Sequence, residues 1–334
     1  MSQLTNQLRP TTWDSVVGQD ESVELLKKII ENPHEAPKVY IFEGAMGTGK
    51  TSCARIFARE LNKMNEQEFE DSANFYFLEY DCSSDTVIDE REMEYAFSSY
   101  SIHGTDKWKV IFYDEIQALN RVNQGKFLKP LEEFGERIFV IFATTDVDTV
   151  LKTLRSRSLE VRFASIPYEA IMTHLDFLEK KQGKPISQEA KEYIAYRGHG
   201  HMRNVHMLVA RYYLQGEDSF MKYATTGIDN FCDFFMTAFE KKPDAEKILN
   251  ELVRLPLIQL REDFDEFIIK CSQETIGIPS NNANIRRVAQ AFGERFKVIV
   301  DMYFQKWAVY MFRSDTMFHL SMMNFYKVIT KSMS

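Results

Sequence analysis

Eight residues, Gly44-Ala-Met-Gly-Thr-Gly-Lys50-Thr51, set the interpretation of this whole sequence. They fit the pattern G-x-x-x-x-G-K-S/T, in which glycines let backbone N–H groups turn inward around phosphate oxygens. An apolar strand pattern at 39–43 precedes them and a helical pattern at 52–63 follows, so the helix adds the positive end of its dipole. This placement predicts a nucleotide phosphate site, because a glycine-rich turn without a ligand needs no such flanks.

Short apolar segments alternate with helical patterns around this loop. The segments are too short for helices and rich in β-branched and aromatic residues; they lie at 39–43, 75–79, 110–113 and 138–142. Helical patterns separate them at 52–63, 90–100 and 123–134. Because the apolar runs are continuous rather than alternating, we predict an α/β fold with a parallel sheet covered by helices on both faces.

Beyond Phe163 the strand patterns stop, and Ile166-Pro167 marks a break. Three helices are predicted at 168–181, 187–196 and 203–213, and a further helical region begins near Ile228. We therefore predict a P-loop domain, a small helical domain and an all-α C-terminal domain, at residues 1–164, 165–227 and 228–334.

Composition excludes several classes of protein. The 334 residues carry a net charge of −8, which argues against coating nucleic acid through bulk charge but leaves a local DNA-binding patch open. The N-terminus is polar and no apolar run reaches membrane-spanning length, so a cytoplasmic location is expected. The cysteines are scattered without a CxxC pair, which predicts buried thiols; they are Cys53, Cys82, Cys232 and Cys271.

Acidic residues end the strand pattern at 110–113, where Asp114 and Glu115 follow directly. We expect Lys50 to reach the β- and γ-phosphates and Thr51 to bind Mg²⁺, with Asp114 holding the same ion directly or through water. Glu115 would polarise the attacking water, since phosphoryl transfer needs positioning and charge stabilisation. The alternative is a strand that simply ends in solvated acids.

Three further motifs have both a functional and a structural interpretation. Thr145, in Ala143-Thr-Thr-Asp146, could bind the γ-phosphate or the lytic water, or else cap the strand end. In Arg155-Ser-Arg-Ser158 an arginine could reach a neighbour's ATP as an arginine finger, or the loop could be a solvated surface. Arg203, at a predicted helix start, could touch the phosphates or face water.

Together these motifs resemble the AAA+ clamp-loader ATPases, most closely the gamma/tau subunits of bacterial DNA polymerase III. The resemblance covers about residues 8–215 and rests on the opening at 8–19, Walker A at 44–51, the segment at 78–84, Walker B at 114–119, the helix at 127–133, sensor 1 at 143–146, the finger at 156–157 and sensor 2 at 200–203. Residues 228–334 match only by position, as the helical collar that joins loader subunits.

The resemblance implies a role for each matching residue. The catalytic set is Lys50, Asp114, Glu115, Thr145 and, acting in trans, Arg157, with Thr51 and Asp114 as Mg²⁺ ligands. The ATP-binding set is Arg9, Pro10, Val17, Gly44, Gly47, Thr48, Gly49, Lys50, Thr51, Ser52 and Arg203. DNA contacts are expected at Thr86, Arg121, Asn123 and Lys126, and the helix at 89–100 is expected to face the clamp.

The sequence also departs from the family pattern. Ser158 replaces the cysteine of the Ser-Arg-Cys finger motif, and Gln7-Leu8 replaces the basic aromatic pair before Arg9. The cysteine-bearing zinc insertion after the P-loop helix is missing, and the corresponding stretch at 64–74 is short and acidic. The compact length would suit a phage-encoded form, which would then work in the host cytoplasm.

The implied function is that of an ATPase subunit in a pentameric loader of DNA sliding clamps. ATP would hold the clamp open, and primer–template DNA would trigger hydrolysis and clamp release during processive replication. The alternative is an AAA+ DNA helicase or branch-migration motor, although 228–334 lacks the hairpin turns of a winged helix. A loader-like subunit that binds ATP without hydrolysis is a third reading, against which the complete catalytic set argues.

Overall fold

The computed structural model describes residues 8–84, 89–98, 105–242, 244–253, 255–280, 282–308 and 311–332. The chain forms two compact units, Met1–Glu217 and Asp218–Ser334. Within the described ranges, no helix combines the length and the apolar character needed to cross a membrane.

A five-stranded parallel sheet organises the first unit. Its strands are β1 (Val39–Gly44), β2 (Phe77–Asp81), β3 (Lys109–Asp114), β4 (Ile138–Thr144) and β5 (Leu159–Phe163). The spatial order is β2-β3-β4-β1-β5, and every neighbouring pair is parallel. The carboxyl ends of all strands therefore lie along one edge, where ligands of open α/β sheets bind.

Alternate side chains of the same strands enter two separate cores. In β1, Tyr40 and Phe42 pack on one face of the sheet, whereas Val39 and Ile41 pack on the other. Strands buried on both faces have continuous apolar runs, which is the pattern that the sequence showed. The predicted α/β architecture is confirmed.

Helices cover both faces of this sheet. They are α1 (Asp20–Glu31), α2 (Lys50–Leu61), α3 (Glu66–Tyr76), α4 (Glu90–Phe97), α5 (Arg121–Gly125), α6 (Pro130–Glu133) and α7 (Lys152–Arg155). The single helix predicted at 123–134 is in fact α5 and α6. Pro130 occupies the first turn of α6, where its missing N–H costs nothing, whereas inside a continuous helix it would remove a hydrogen bond.

Three helices complete the first unit close to their predicted positions. They are α8 (Tyr168–Gln182), α9 (Gln188–Arg197) and α10 (Met202–Gln215). The backbone carbonyl of Gly200 accepts a hydrogen bond from the N–H of Ile166 at 3.0 Å, which ties the start of α10 to the segment after β5. This link brings the predicted sensor 2 region close to the nucleotide loop.

The described part of the second unit is helical and contains no strand. Its elements are α11 (Glu217–Phe239), α12 (Ala245–Leu252), α13 (Leu257–Thr275), α14 (Ala283–Phe292), α15 (Phe296–Met302), a π-helix (Tyr303–Trp307) and α16 (Asp315–Ser332). Phenylalanines dominate its core, including Phe231, Phe235, Phe264 and Phe267. Tyr303 is buried here and donates to Asp265 Oδ1 at 2.6 Å, which agrees with helix packing rather than base stacking.

The predicted boundary between residues 227 and 228 lies inside α11, which continues through Gly227. A Cβ atom at Gly227 would lie 1.9 Å from Asp263 Oδ2, so glycine here permits close contact with α13. The second compact unit begins at Asp218. The division of the chain into three functional domains stays a prediction.

Candidate nucleotide-binding site

Apart from Arg157, the predicted catalytic residues lie at or just beyond the carboxyl ends of three adjacent strands. The phosphate-binding loop follows β1, Glu115 follows β3, and Thr145 follows β4, which lies between the other two strands. The registers pair Glu43 with Thr144 and Tyr113 with Phe142, so the three strand ends are level. Strand order thus brings together residues that are distant in sequence.

The loop after β1 is held by its own lysine and by a buried glutamine. Lys50 Nζ donates to the carbonyl oxygens of Gly44 and Ala45, at 2.7 and 3.0 Å. Gln19 Nε2 donates to the carbonyls of Thr48 and Ala164, at 3.3 and 2.7 Å. Gln19 was not among the predicted site residues, although it ends the opening segment that the resemblance included.

Burial lowers the pKa of Lys50, while the carboxylates of Asp114 and Glu115 act in the opposite direction. The ammonium group is therefore surrounded by protein and yet lies beside two anions. A cation desolvated in this way interacts strongly with a phosphate, because little water remains to compete with it.

Thr51 and Asp114 form the contact between the loop and β3. Thr51 Oγ1 donates to Asp114 Oδ2 at 2.9 Å, and the backbone N–H of Glu115 donates to Asp114 Oδ1 at 3.0 Å. Hydroxyl and carboxylate oxygens are the hard ligands that Mg²⁺ prefers, and Mg²⁺ is usually bound by few protein groups together with substrate phosphates. The donor set fits a magnesium–nucleotide complex.

The two threonines at the end of β4 have different partners. Thr144 is buried, and its Oγ1 exchanges hydrogen bonds with the backbone of Asp146, both at 3.0 Å. The hydroxyl of Thr145 instead accepts from Gln117 Nε2 at 3.0 Å. Thr144 thus caps the strand end, whereas Thr145 is joined to the turn that follows β3, and its part in hydrolysis stays a prediction.

The start of α10 lies directly on the phosphate-binding loop. The backbone N–H of Met202 donates to the carbonyl of Gly47 at 3.0 Å. Gly47 has φ of +77°, and a Cβ atom there would lie 3.0 Å from Cβ of Arg203. The positive φ and the close approach of Arg203 both require glycine at this position. The backbone of Arg203 therefore lies next to the loop.

The opening segment reaches the same loop from another side. Arg9 Nε donates to Ser52 Oγ, in the first turn of α2, at 3.2 Å. Gly18, next to Val17, packs on Ile166. Pro10 and Val17 are partly exposed. Their assignment to the adenine side stays a prediction.

Arg157 lies at the opposite edge of the sheet. It precedes β5 by two residues, whereas Phe163, at the other end of β5, pairs with Gly44. The four steps from Leu159 to Phe163 span roughly 13 Å at about 3.3 Å per residue. Arg157 instead donates to Glu132 Oε1 at 2.8 Å and to the carbonyl of Thr153 at 3.1 Å.

The predicted DNA contacts differ in exposure. Arg121 is exposed at the start of α5, whereas Asn123 is buried. Lys126 Nζ lies 3.2 Å from Glu90 Oε1. Thr86 lies outside the described residues. Among the described candidates, Arg121 has the exposure that a phosphate contact requires.

Comparison with known proteins identifies the family of this chain. The family model described as DNA polymerase III, delta subunit, matches residues 18–167. DNA polymerase III subunit gamma of Buchnera aphidicola (subsp. Schizaphis graminum) is 30% identical over 276 residues, 77% of this chain and 75% of that protein. This chain belongs to the clamp-loader AAA+ ATPases. It is therefore an ATPase.

Two further proteins are similar to this clamp-loader chain. The replication factor C small subunit of Archaeoglobus fulgidus is 31% identical over 199 residues, which are 58% of this chain and 59% of that relative. Thermotoga maritima RuvB, a Holliday junction branch migration motor, is similar in structure, with a TM-score of 0.50, 20% identity, and coverage of 88% and 92% of the two chains. At that identity the likeness shows the AAA+ fold alone.

Proposed function

We propose that this chain is an ATPase subunit of an assembly that loads sliding clamps onto primed DNA. ATP binding joins neighbouring subunits into a spiral that holds the clamp open. Primer–template DNA then triggers hydrolysis, and hydrolysis releases the closed clamp. The similarity to DNA polymerase III subunit gamma supports the loader role over other AAA+ functions.

The observation that carries this proposal is the position of Arg157. The residues that bind and cleave ATP in cis lie at the carboxyl edge of the sheet, while Arg157 precedes β5 at the amino edge. An arginine side chain cannot cross roughly 13 Å of strand to reach the loop of its own chain. If Arg157 is an arginine finger, it must complete the site of a neighbouring subunit.

Within one chain, the loop residues bind the triphosphate. Lys50 leaves the carbonyls of Gly44 and Ala45 and pairs with the β- and γ-phosphates. Thr51 and Asp114, already in contact, would hold Mg²⁺. The ion would neutralise charge that develops on the phosphate oxygens.

Hydrolysis requires a water aligned with the γ-phosphate. Glu115 accepts a hydrogen bond from that water and so polarises it. The hydroxyl of Thr145 donates a hydrogen bond to the γ-phosphate. Arg203, placed against Gly47, brings a cation from the helical lid to the same phosphates. Loss of the γ-phosphate removes these contacts, which gives ATP its effect on subunit arrangement.

Exposed residues of the chain are proposed to contact the clamp, DNA and other subunits. The helix α4 is proposed to face the clamp, and its half-exposed Tyr95 borders an open depression shared with Tyr80, Arg91 and Glu92. DNA is proposed to be held through its phosphates on the inner face of the spiral, with Arg121 contributing. The second unit is proposed to be the collar through which subunits assemble.

The test is steady-state ATP hydrolysis by the full chain with its co-purifying partners. Rates are compared without DNA, with single-stranded DNA and with primer–template DNA, each with and without the cognate clamp. We expect strong stimulation only when both a primer junction and the clamp are present. Stimulation by any DNA, independent of the clamp, would instead indicate a translocating motor.

A further inference from the structure

We propose that Gln117 is a positioning residue that joins Thr145 to Glu115, so that the hydroxyl and the carboxylate are oriented as one unit. The inference rests on the proposed role of Glu115 in hydrolysis. The observation behind it is that one nitrogen, Gln117 Nε2, donates hydrogen bonds to both Glu115 and Thr145. Gln117 itself touches neither nucleotide nor water in this role.

Local backbone geometry brings Gln117 to this place. Glu115 has φ of +55°, a left-handed conformation that is uncommon outside glycine, asparagine and aspartate. The chain then forms a single 3₁₀ turn, Ile116–Ala118, with Ile116 fully buried. This turn folds the chain back after β3, so Gln117 lies beside the strand ends rather than continuing away from them. Strained backbone of this kind concentrates at functional sites.

The chemistry of the partners fixes which end of the amide faces them. An ionised carboxylate can only accept hydrogen bonds, so Gln117 must present Nε2 to Glu115. The NH₂ group has two protons, so it can donate to Glu115 and to Thr145 at once. The distance from Gln117 Nε2 to Thr145 Oγ1 is 3.0 Å. Thr145 accepts this bond and therefore keeps its own hydroxyl proton to donate towards a γ-phosphate.

The link also spans two strands. Glu115 follows β3 and Thr145 follows β4, and these strands are neighbours in the sheet. A displacement of either strand end would be transmitted to the other through Gln117. Among the described residues Gln117 Oε1 is buried and has no hydrogen-bond partner, so the amide is held by its nitrogen alone.

The first experiment compares Gln117→Ala and Gln117→Glu with the unchanged chain in its assembled form. Misplacement of a catalytic group by about 1 Å can cost on the order of 100-fold in rate, so we expect Gln117→Ala to lower kcat about 10- to 100-fold. ATP affinity and KM should be unchanged, because the proposed role of Gln117 is to orient Glu115 and Thr145 and not to bind the nucleotide. Gln117→Glu has the same shape but cannot donate and repels Glu115, so its kcat should be at least as low.

The matched control is Gln188→Ala, since Gln188 also donates its amide to a glutamate, Glu192, at 3.1 Å, but on the exposed surface of α9. That variant should retain full activity. A thermal melt and nucleotide binding show whether the Gln117 variants remain folded. Equal loss of ATP affinity and kcat would indicate general damage to the site and overturn a positioning role.

A double variant distinguishes coupling from independent effects. Thr145→Val in the Gln117→Ala background should lower kcat much less than Thr145→Val does alone, because the shared link is already broken. Fully additive losses would overturn the inference. If Glu115→Gln also hydrolyses ATP normally, the catalytic assignment itself fails; if Glu115→Gln is inactive and Gln117→Ala is normal, only this inference fails.

Discussion

The two edges of the sheet differ in how their functional groups are held. At the carboxyl edge, Lys50 Nζ donates to the carbonyl of Gly44 at 2.7 Å, and Thr51 Oγ1 donates to Asp114 Oδ2 at 2.9 Å. At the amino edge, Arg157 is 41% exposed and is paired with one exposed carboxylate, that of Glu132. One edge is organised within the chain, whereas the other presents a cation that a second molecule could engage.

This contrast suggests a division between binding and hydrolysis. The groups proposed to bind a nucleotide are brought together by the fold of one chain, so binding should not need a neighbour. Completion of the site should need a subunit whose Arg157 approaches from outside. A site shared in this way makes the hydrolysis rate a measure of subunit arrangement.

Arg157→Ala tests the contrast with the largest expected effect. An arginine finger contributes about 10³- to 10⁵-fold to the rate in related phosphoryl transfers, so assembled hydrolysis should fall by roughly 10³-fold or more. ATP affinity of the isolated chain should be unchanged, because Arg157 lies at the far edge. Turnover by the assembly and equilibrium nucleotide binding by the chain alone measure the two effects.

Arg155→Ala is the matched control two residues away. Arg155 forms ion pairs with both Asp148 and Glu160, at 3.1 and 2.9 Å. Its side chain is 30% exposed, which is less than the 41% of Arg157. An arginine held by two carboxylates of its own chain is poorly placed to leave for a neighbour. If Arg155→Ala alone abolishes assembled turnover, the finger has been assigned to the wrong arginine.

Glu115→Gln tests the carboxyl edge. The amide keeps the size of the side chain but cannot polarise water as a carboxylate does, and general-base contributions are typically 10²- to 10⁴-fold. We expect hydrolysis to fall at least about 100-fold while ATP still binds. Single-turnover hydrolysis and a nucleotide-binding assay check both parts, and a normal rate would remove Glu115 from its role.

Lys50→Ala should affect binding more than any other single change at the loop. Charge-assisted hydrogen bonds to phosphate contribute about 1.5–3 kcal/mol each, so the affinity for ATP should fall by roughly 10- to 100-fold. Titration calorimetry on the isolated chain measures this directly. Unaltered affinity would contradict the assignment of the phosphate-binding loop, whatever the effect on turnover.

The sequence predicted which motifs lie at the carboxyl edge of the sheet, but it did not predict the glutamine contacts that hold them there. The loop at 44–51 and the acids after β3 are continuous motifs whose spacing and flanks have a mechanism, so their positions could be inferred. Gln19 and Gln117 lie in stretches where glutamine has no distinctive pattern. Their roles arise from contacts between residues far apart in sequence, such as Gln19 with Ala164 at 2.7 Å, which no local signal reports.

Errors in the predicted fold have similar causes. Strand β5 was not identified because only its Val161 and Phe163 are buried, whereas the other strands were recognised by continuous apolar runs. The strand predicted at 75–79 begins at Phe77, since α3 extends to Tyr76. Aromatic residues favour a strand locally, but packing against neighbours decides the boundary.

The smallest expected effect concerns the contact that holds Arg157 in its own chain. Glu132→Gln removes the carboxylate but keeps the shape, so the guanidinium should be freer to reach a neighbouring site. Exposed ion pairs are worth little, so assembled hydrolysis should rise by roughly two- to five-fold rather than more. High salt should reduce the difference between this variant and the unchanged chain, because it screens the same pair.

Glu133→Gln provides the control, since Glu133 is exposed beside Glu132 on α6, whereas the carboxylate that lies 2.8 Å from Arg157 is that of Glu132. Its rate should equal that of the unchanged chain. A slower Glu132→Gln assembly would mean that Glu132 orients Arg157 for its neighbour instead of retaining it. The contact would then belong to the active arrangement, and the amino edge would be as preorganised as the carboxyl edge.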